Sequence, residues 1–464
     1  MPSGGQFPIE IVDAIIHYLT HGWIGPNAPD QNQPSLFGAF RSWGRIGGAS
    51  RYATVDRTWQ ELVERETFAE LRLDLGRLKE AGAILNRIPR RQRCVRTIHL
   101  NIVLPRHETA AAGGVAAEEK DQNDRLLQDT LVAFVSTLSR WTLRPPVKLT
   151  LDAFAPTDRG YRDEGDAPHE RLRGPREYSP LELKDSDGVL RCGPVDGITE
   201  VDMERNRLIG RRISGAAMCT LLARLPGAKK VSINWWDGRG DPKVRSDLTE
   251  ALSEITHAMD QFHIVGTYSQ LDHHQPAQEP QEPGVKVDEL SLALGVLSQR
   301  LRYLDIYEVA VSDDLFLHQN LPPEMSPPPH WARLENLGLH YPPVSPSGQR
   351  LFYPDPSAAD PDQAPIVAGP SVQRRYLVAA RSALEMPLLR NMTLVAQLGR
   401  QGHWHKFWYH RNPGGRNPAA GVIWTSSSGF VPDDEVLEAW REVPRKHGDG
   451  GGLEVEILHD EYAV

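Results

Sequence analysis

The sequence predicts an α/β chain in two parts: a small N-terminal helical module, then a βα solenoid with irregular long loops. Three observations carry that expectation. A hexapeptide of the form apolar-x-x-apolar-x-apolar recurs from about residue 71 onward. Stretches with helical apolar spacing stand between its copies. Each such unit is too small to bury its own apolar face, so neighbours must stack and share one core. A compact α/β domain with a mostly parallel sheet would show the same alternation and is the rival architecture.

Taken in order, residues 8–20 (PIEIVDAIIHYLT) predict a helix. Pro8 suits the first helical position, where the N–H has no partner in any case. Ile9, Val12, Ile16 and Leu19 form one stripe, and Ile11, Ile15 and Tyr18 a second. A short helix that is apolar on two faces needs two surfaces to pack against, and one of them can be a partner protein. Residues 21–48 are rich in Gly, Pro, Asn and Gln and predict a loop. Helical spacing returns at 49–69 through Tyr52, Val55, Trp59, Leu62 and Val63.

The hexapeptide then appears as VRTIHL (Val95, Ile98, Leu100), LRYLDI (Leu301, Leu304, Ile306), LENLGL (Leu334, Leu337, Leu339) and LRNMTL (Leu389, Met392, Leu394). PVKLTL and AKKVSI carry its second half through Leu149, Leu151, Val231 and Ile233. It matches the strand part of a leucine-rich repeat, although the usual Asn is not regular and the spacing varies. Helices are expected at 77–88, 126–140, 215–225, 246–261, 288–299 and 372–386, and an extra strand at 263–268 (HIVGTY). Residues 105–124, 155–212, 269–287, 318–331 and 341–371 read as loops. At the C-terminal end, 405–412 and 421–427 predict a hairpin. Residues 433–443 predict a helix capped by Asp433 or Asp434, with Val436, Leu437 and Trp440 inward. LEVEIL (453–458) predicts a last strand. The expected organisation is a helical module at 7–70, an α/β region at 71–400, and a segment at 401–464 that closes it.

Composition narrows the function classes. The formal charge of −9 argues against a protein held to nucleic acid by net charge. No apolar run reaches the ~18 residues needed to cross a bilayer, so no membrane span is expected. The first residues carry no Lys or Arg, so no secretory signal is expected. The three cysteines, Cys94, Cys192 and Cys219, are widely spaced and form no CxxC, which suits a reducing compartment, cytoplasm or nucleus.

Residues 7–19 (FPIEIVDAIIHYL) and 49–68 (ASRYATVDRTWQELVERETF) together resemble an F-box. Pro8, Glu10, Ile11, Ile15 and Leu19 match its opening helix, and Val55 and Trp59 its closing segment. The stretches RYATVDRTWQELVERETFAELRL, VRTIHLNIVLP, HKFWYHRN, AAGVIWTSSSGF and VLEAWREV resemble filamentous-fungal F-box proteins with a long region of unknown function. Two features depart from the motif: Phe7 replaces the opening Leu, and the 21–48 loop separates the halves. Loop closure grows by only about 0.6 kcal/mol per doubling of length. The resemblance implies a substrate-recognition subunit of a ubiquitin ligase. Such a subunit binds the Skp1-like adaptor of a cullin-RING ligase through the F-box and an unknown protein substrate through the rest. Pro8, Ile11, Ile15, Leu19, Val55 and Trp59 are the candidate adaptor-binding residues, by contact or by holding the module's shape. The alternative is an interaction scaffold whose F-box-like module is only a structural cap.

No catalytic signature is visible, so no enzyme, cofactor or metal is expected. GxSxG and GxxxxGK[ST] are absent. Gly238-Arg-Gly240 lacks the third glycine of a dinucleotide loop, and HETAA (107–111) lacks the second His of a zinc helix. His403, His405 and His410 could share a metal, or belong to an aromatic strand with exposed histidines. Arg87, Arg90, Arg91, Arg93 and Arg96 form a basic run that reads as phosphate- or acid-binding, or as a solvated loop. Trp235-Trp236 follow a strand and read as core or as a binding rim. Asn391-Met-Thr393 is a glycosylation sequon without a secretory signal to use it.

Overall fold

The structure, a computed structural model, describes residues 57–105, 117–143, 146–156, 179–203, 211–236, 241–266, 287–316, 330–355, 366–398, 404–412, 420–448 and 452–459. Pro8, Ile11, Ile15, Leu19 and Val55, the 21–48 loop, HETAA, Gly238–Gly240, His403 and the 413–419 turn lie outside the described residues.

Helix α1 (Arg57–Thr67) leads to β1 (Glu70–Leu73), α2 (Leu75–Arg87), the short α3 (Pro89–Gln92) and β2 (Thr97–Val103). Then come α4 (Ala117–Leu138), β3 (Val147–Phe154), α5 (Ser186–Leu190), β4 (Ile198–Met203), α6 (Gly215–Leu222) and β5 (Lys230–Trp235). Helices α7 (Pro242–Ser253) and α8 (Glu289–Ser298) alternate with β6 (Gln261–Gly266), β7 (Tyr303–Tyr307) and β8 (Asn336–Tyr341). The chain continues through β9 (Phe352–Pro354), β10 (Ile366–Ala368), α9 (Pro370–Ala383), β11 (Asn391–Gln397), β12 (Trp404–Arg411), β13 (Ala420–Ser426), α10 (Asp434–Lys446) and β14 (Leu453–His459). The described residues thus hold ten α-helices and a mixed α/β fold.

One twelve-stranded sheet runs β1 to β8, then β11 to β14, in sequence order, while β9 and β10 pair separately. Every neighbouring pair is parallel except β11–β12 and β12–β13, so β12 alone runs against the others. The core-facing side chains alternate along each strand: Ile98, Leu100 and Ile102 on β2, Leu337 and Leu339 on β8. They share one apolar cluster with Leu127, Leu131 and Phe134 of α4, Leu248 of α7 and Tyr376 of α9. The other alternate set (Thr97, His99 and Asn101 on β2, for example) is only half-buried and faces away from that core.

The hexapeptide has a physical basis in how each strand begins. Its first apolar residue lies just before the strand, and the two amides that follow both donate to one carbonyl of the preceding unit. Arg302 and Tyr303 N–H donate to the Asp260 carbonyl at 2.8 and 3.0 Å, and Glu335 and Asn336 to Arg302 at 2.8 and 3.0 Å. Arg390 and Asn391 donate to Glu335, Asp260 and Gln261 to Lys229, and Arg96 and Thr97 to Ala69. This clip holds one extra residue at strand entry, so spacings of three and then two all point inward. Further copies emerge once the strands are placed: Phe68-Leu71-Leu73, Ile198-Val201-Met203 and Met259-Phe262-Ile264.

Helix starts are set by local chemistry. Asp74, Asp241, Asp288 and Asp433 cap α2, α7, α8 and α10 by accepting from the N–H of Arg77, Lys243, Ser291 and Val436. Three stretches expected as loops contain regular elements. Helix α4 begins at Ala117; its polar first turns escape the apolar period because Asp124 is buried by pairing, accepting from Lys120 Nζ and Glu182 N–H, both at 2.9 Å. The charged 155–212 stretch holds β4, whose register against β3 shifts between Val147 and Lys148. The Pro-rich 341–371 stretch holds β9 and β10. Helix α7 ends at Ser253, short of the expected 261, where β6 begins; Ile255 and Met259 are buried in the turn between. Gly266 is required at the end of β6, since a Cβ there would lie 2.3 Å from the Glu308 carbonyl oxygen.

Candidate functional site

The sheet face turned away from the core carries the candidate site. A groove of about 530 Å³ crosses seven neighbouring strands, from Lys148 on β3 to Asn391 and Thr393 on β11. Two register rows form its floor. One runs from Lys148 through Glu200, Lys230, Gln261, Tyr303 and Asn336 to Asn391. The other runs from Asp202 through Ser232, His263, Asp305 and Gly338 to Thr393. These are the x positions that flank the apolar residues of the hexapeptide.

At one end, Lys148 Nζ pairs with Glu200 at 2.8 Å and Asp202 at 3.0 Å. Burial alone would lower its pKa, but the hydrogen bonds to those two carboxylates hold the ammonium above its ordinary value. Beyond that end, His99 links Glu70 (Nε2, 3.0 Å) to Thr150 (Nδ1, 2.6 Å). The hydrogen bond from His99 holds the Glu70 carboxyl down at about 2, against burial and with help from Arg72. In the middle, His263 stands 3.5 Å from Asp305. At the far end, Asn391 donates to Asn336 at 2.8 Å. The His340 ring packs on Tyr307 at 4.9 Å, and its burial lowers the imidazole's pKa despite the nearby Asp305.

Beyond the groove, the face becomes aromatic. Trp404 and Trp408 on β12 stay more than a third exposed, with Lys406 Nζ 6.0 Å from the Trp408 ring and the His410 ring tilted against it at 4.9 Å. A polar groove bordered by exposed indoles has the makings of a candidate binding surface, since aromatic side chains carry much of the energy at protein interfaces.

The residues singled out from the sequence fall in several places. Of the adaptor-binding candidates only Trp59 is described; it is half-buried on α1 against Leu62 and Val63. Arg90 and Arg91 of the basic run reach Glu64 on the same helix at 3.0 and 2.7 Å, so they hold α1 to the sheet's first edge. Trp235 is fully buried in the core, and Trp236 is half-buried with the Arg212 guanidinium 5.6 Å from its ring. His405 is buried, not exposed: Nε2 meets Tyr376 Oη at 2.7 Å and Nδ1 meets Ser426 Oγ at 2.8 Å. It points into the core while His410 lies on the open face, so the two do not converge. Among the described residues, no three or more His, Cys, Asp or Glu side chains are grouped to hold a metal ion. Among the same residues, no helix is long and apolar enough to cross a membrane.

Lys148, Asp202, His263, Tyr303, Asp305 and Trp408 were not singled out from the sequence. For all of them but Trp408, the available signal was the x position of each hexapeptide, polar or aromatic at one copy after another.

Residues 370–462 match a family of unknown function, DUF6546. The match runs from α9 to the end of β14 and takes in the buried Tyr376–His405–Ser426 chain and the exposed indoles. No curated protein matches the chain.

Proposed function

We propose that this chain is a non-catalytic substrate-recognition subunit of a Skp1–cullin–F-box type ubiquitin ligase. In this reading the F-box-like segment binds a Skp1-like adaptor. The α/β region is a leucine-rich-repeat-like solenoid that binds a protein substrate on its open face, in the cytoplasm or nucleus. The observation that carries the reading is the groove itself. It is a polar and aromatic surface spread over seven strands of one sheet, and that sheet is tied through Glu64 to the helix ending the F-box-like segment. A receptor needs that coupling, because adaptor and substrate must be held in a fixed relation.

The test is co-purification of the full chain with Skp1, alongside the Ile11→Asp/Ile15→Asp double variant. Binding by the parent chain and loss by an equally well-folded double variant is expected. Retention in the double variant, or no binding by the well-folded parent, would sink the ligase reading. The second reading, a scaffold whose F-box-like module only caps the sheet, is favoured by one observation. Trp59 packs against Leu62 and Val63 of its own helix, which Arg90 and Arg91 already hold in place.

A further inference from the structure

We propose that the groove takes an extended peptide lying across the strands, with one lysine or arginine seated on Asp305 and a large apolar side chain, about four residues away, seated on Trp408. The inference rests on the receptor reading above and names the class of segment that the receptor takes.

Charge complementarity selects the basic residue. Glu200 and Asp202 are already engaged by Lys148, and Lys230 adds a weaker contact to Glu200 at 3.7 Å. Asp305 lies half-exposed near the middle of the floor, and its one ion-pair partner among the described residues is His263 at 3.5 Å. Gly338 sets where that carboxylate lies, since a Cβ at 338 would be 2.3 Å from Asp305 Oδ1. The carboxylate therefore leans over the neighbouring strand. Tyr303, two residues earlier on the same strand face, stays 40% exposed beside it. A carboxylate next to an exposed aromatic ring suits a guanidinium or ammonium, through a charge-assisted hydrogen bond and the ring's negative face.

Register sets the second position. Asp305 pairs with Gly338, Gly338 with Thr393, and Thr393 with Trp408. Three strand spacings put Trp408 about 14 Å from Asp305. An extended peptide covers that span in about four residues. Of the positions between, Thr393 is small, and Gly338 bears no side chain of its own, its outer side covered by the Asp305 carboxylate that the peptide's cation meets. Asn336 and Asn391, paired in the adjacent row, offer amides to the peptide's main chain. Lys406 beside Trp408 repels a second cation at that end, so the apolar side chain belongs there and the basic one at Asp305.

The test sorts a displayed library of random dodecapeptides against the full-length chain, then measures the labelled consensus peptide by fluorescence anisotropy. Enrichment of a Lys or Arg about four residues from a Trp, Phe, Leu or Met is expected. Asp305→Asn should weaken the consensus peptide about tenfold and abolish its preference for the basic residue. Gly338→Ala, which displaces only the end of the Asp305 side chain, should do the same, and Trp408→Ala should weaken binding while keeping the basic preference. No enrichment, enrichment without a basic residue, or unchanged binding by folded Asp305→Asn and Gly338→Ala overturns the proposal. Skp1 binding by the same preparation is read separately. Skp1 binding without the basic–apolar preference sinks this inference alone, and the preference without Skp1 binding sinks the ligase reading alone.

Discussion

Arg91 donates two hydrogen bonds to one carboxylate oxygen of Glu64, at 3.1 and 2.7 Å, while Arg90 reaches the other oxygen at 3.0 Å. One buried carboxylate on α1 thus holds two guanidinium groups of α3, next to the sheet's first edge. Burial alone would raise the Glu64 pKa; the Arg91 hydrogen bond and the two positive charges bring it below its ordinary value. Glu64→Ala is expected to lower the unfolding free energy by about 1–3 kcal/mol. It should also raise amide exchange across residues 57–67 more than elsewhere. Because the folded pKa is the lower one, the contact stabilises fully above about 4.5 and fades as pH falls below it. Exchange measured at pH 7 and at pH 4 checks both statements, and an unchanged pattern in Glu64→Ala would contradict the role given to this pair.

A second carboxylate–guanidinium pair joins adjacent units deeper in the structure. Arg245 on α7 meets both oxygens of Asp288 at 3.0 and 2.9 Å and donates to the Ala310 carbonyl at 3.1 Å. Asp288 in turn caps α8. Arg245→Ala would leave a nearly buried carboxylate without its cation, at a cost of about 3–5 kcal/mol. Adding Asp288→Asn should recover part of that loss, because the cap persists and the stranded charge is gone. Urea unfolding of the two variants decides it, and a double variant no more stable than the single one would contradict it.

His405 predicts a pH dependence in the family-matched region. Burial pulls its pKa down from 6.5 to about 3. The unfolded chain therefore takes up a proton below pH 6.5 that the folded chain refuses until about pH 3. Stability is fully present above 6.5 and declines as pH falls, by at most about 1.4 kcal/mol per pH unit. His405→Gln keeps hydrogen-bonding atoms for Tyr376 and Ser426 but does not titrate. Its urea midpoint should change less between pH 7.5 and pH 5.5 than that of the parent chain. Parallel curves for the two would show that His405 is not the group responsible.

The two binding predictions rest on different parts of the chain. The Ile11→Asp/Ile15→Asp variant asks whether residues 8–20 dock on a Skp1-like adaptor. The Asp305→Asn and Trp408→Ala variants ask what the open face recognises. Because the first change alters none of the residues that line the groove, it should leave peptide binding there within about twofold of the parent.

The sequence by itself determined the alternation of helix and strand, the inward residues of most strands, the C-terminal hairpin and the helix that follows it, with its cap at Asp433 or Asp434. These depend on side-chain period, turn residues and caps, all of which act over a few neighbouring positions. It did not reveal β4: Ile198, Val201 and Met203 keep the hexapeptide's three-then-two spacing but stand inside a long charged stretch. It did not reveal the start of α4, because Asp124 is buried through partners at Lys120 and Glu182, the latter far along the chain. Only the tertiary structure decided the sheet order, the burial of His405 against Tyr376 and Ser426, and the meeting of Asp305, Gly338 and Trp408 on one face. Those relationships join residues roughly 20 to 100 positions apart, strand to strand or helix to strand, and they are set by register and packing between elements rather than by any property of one segment.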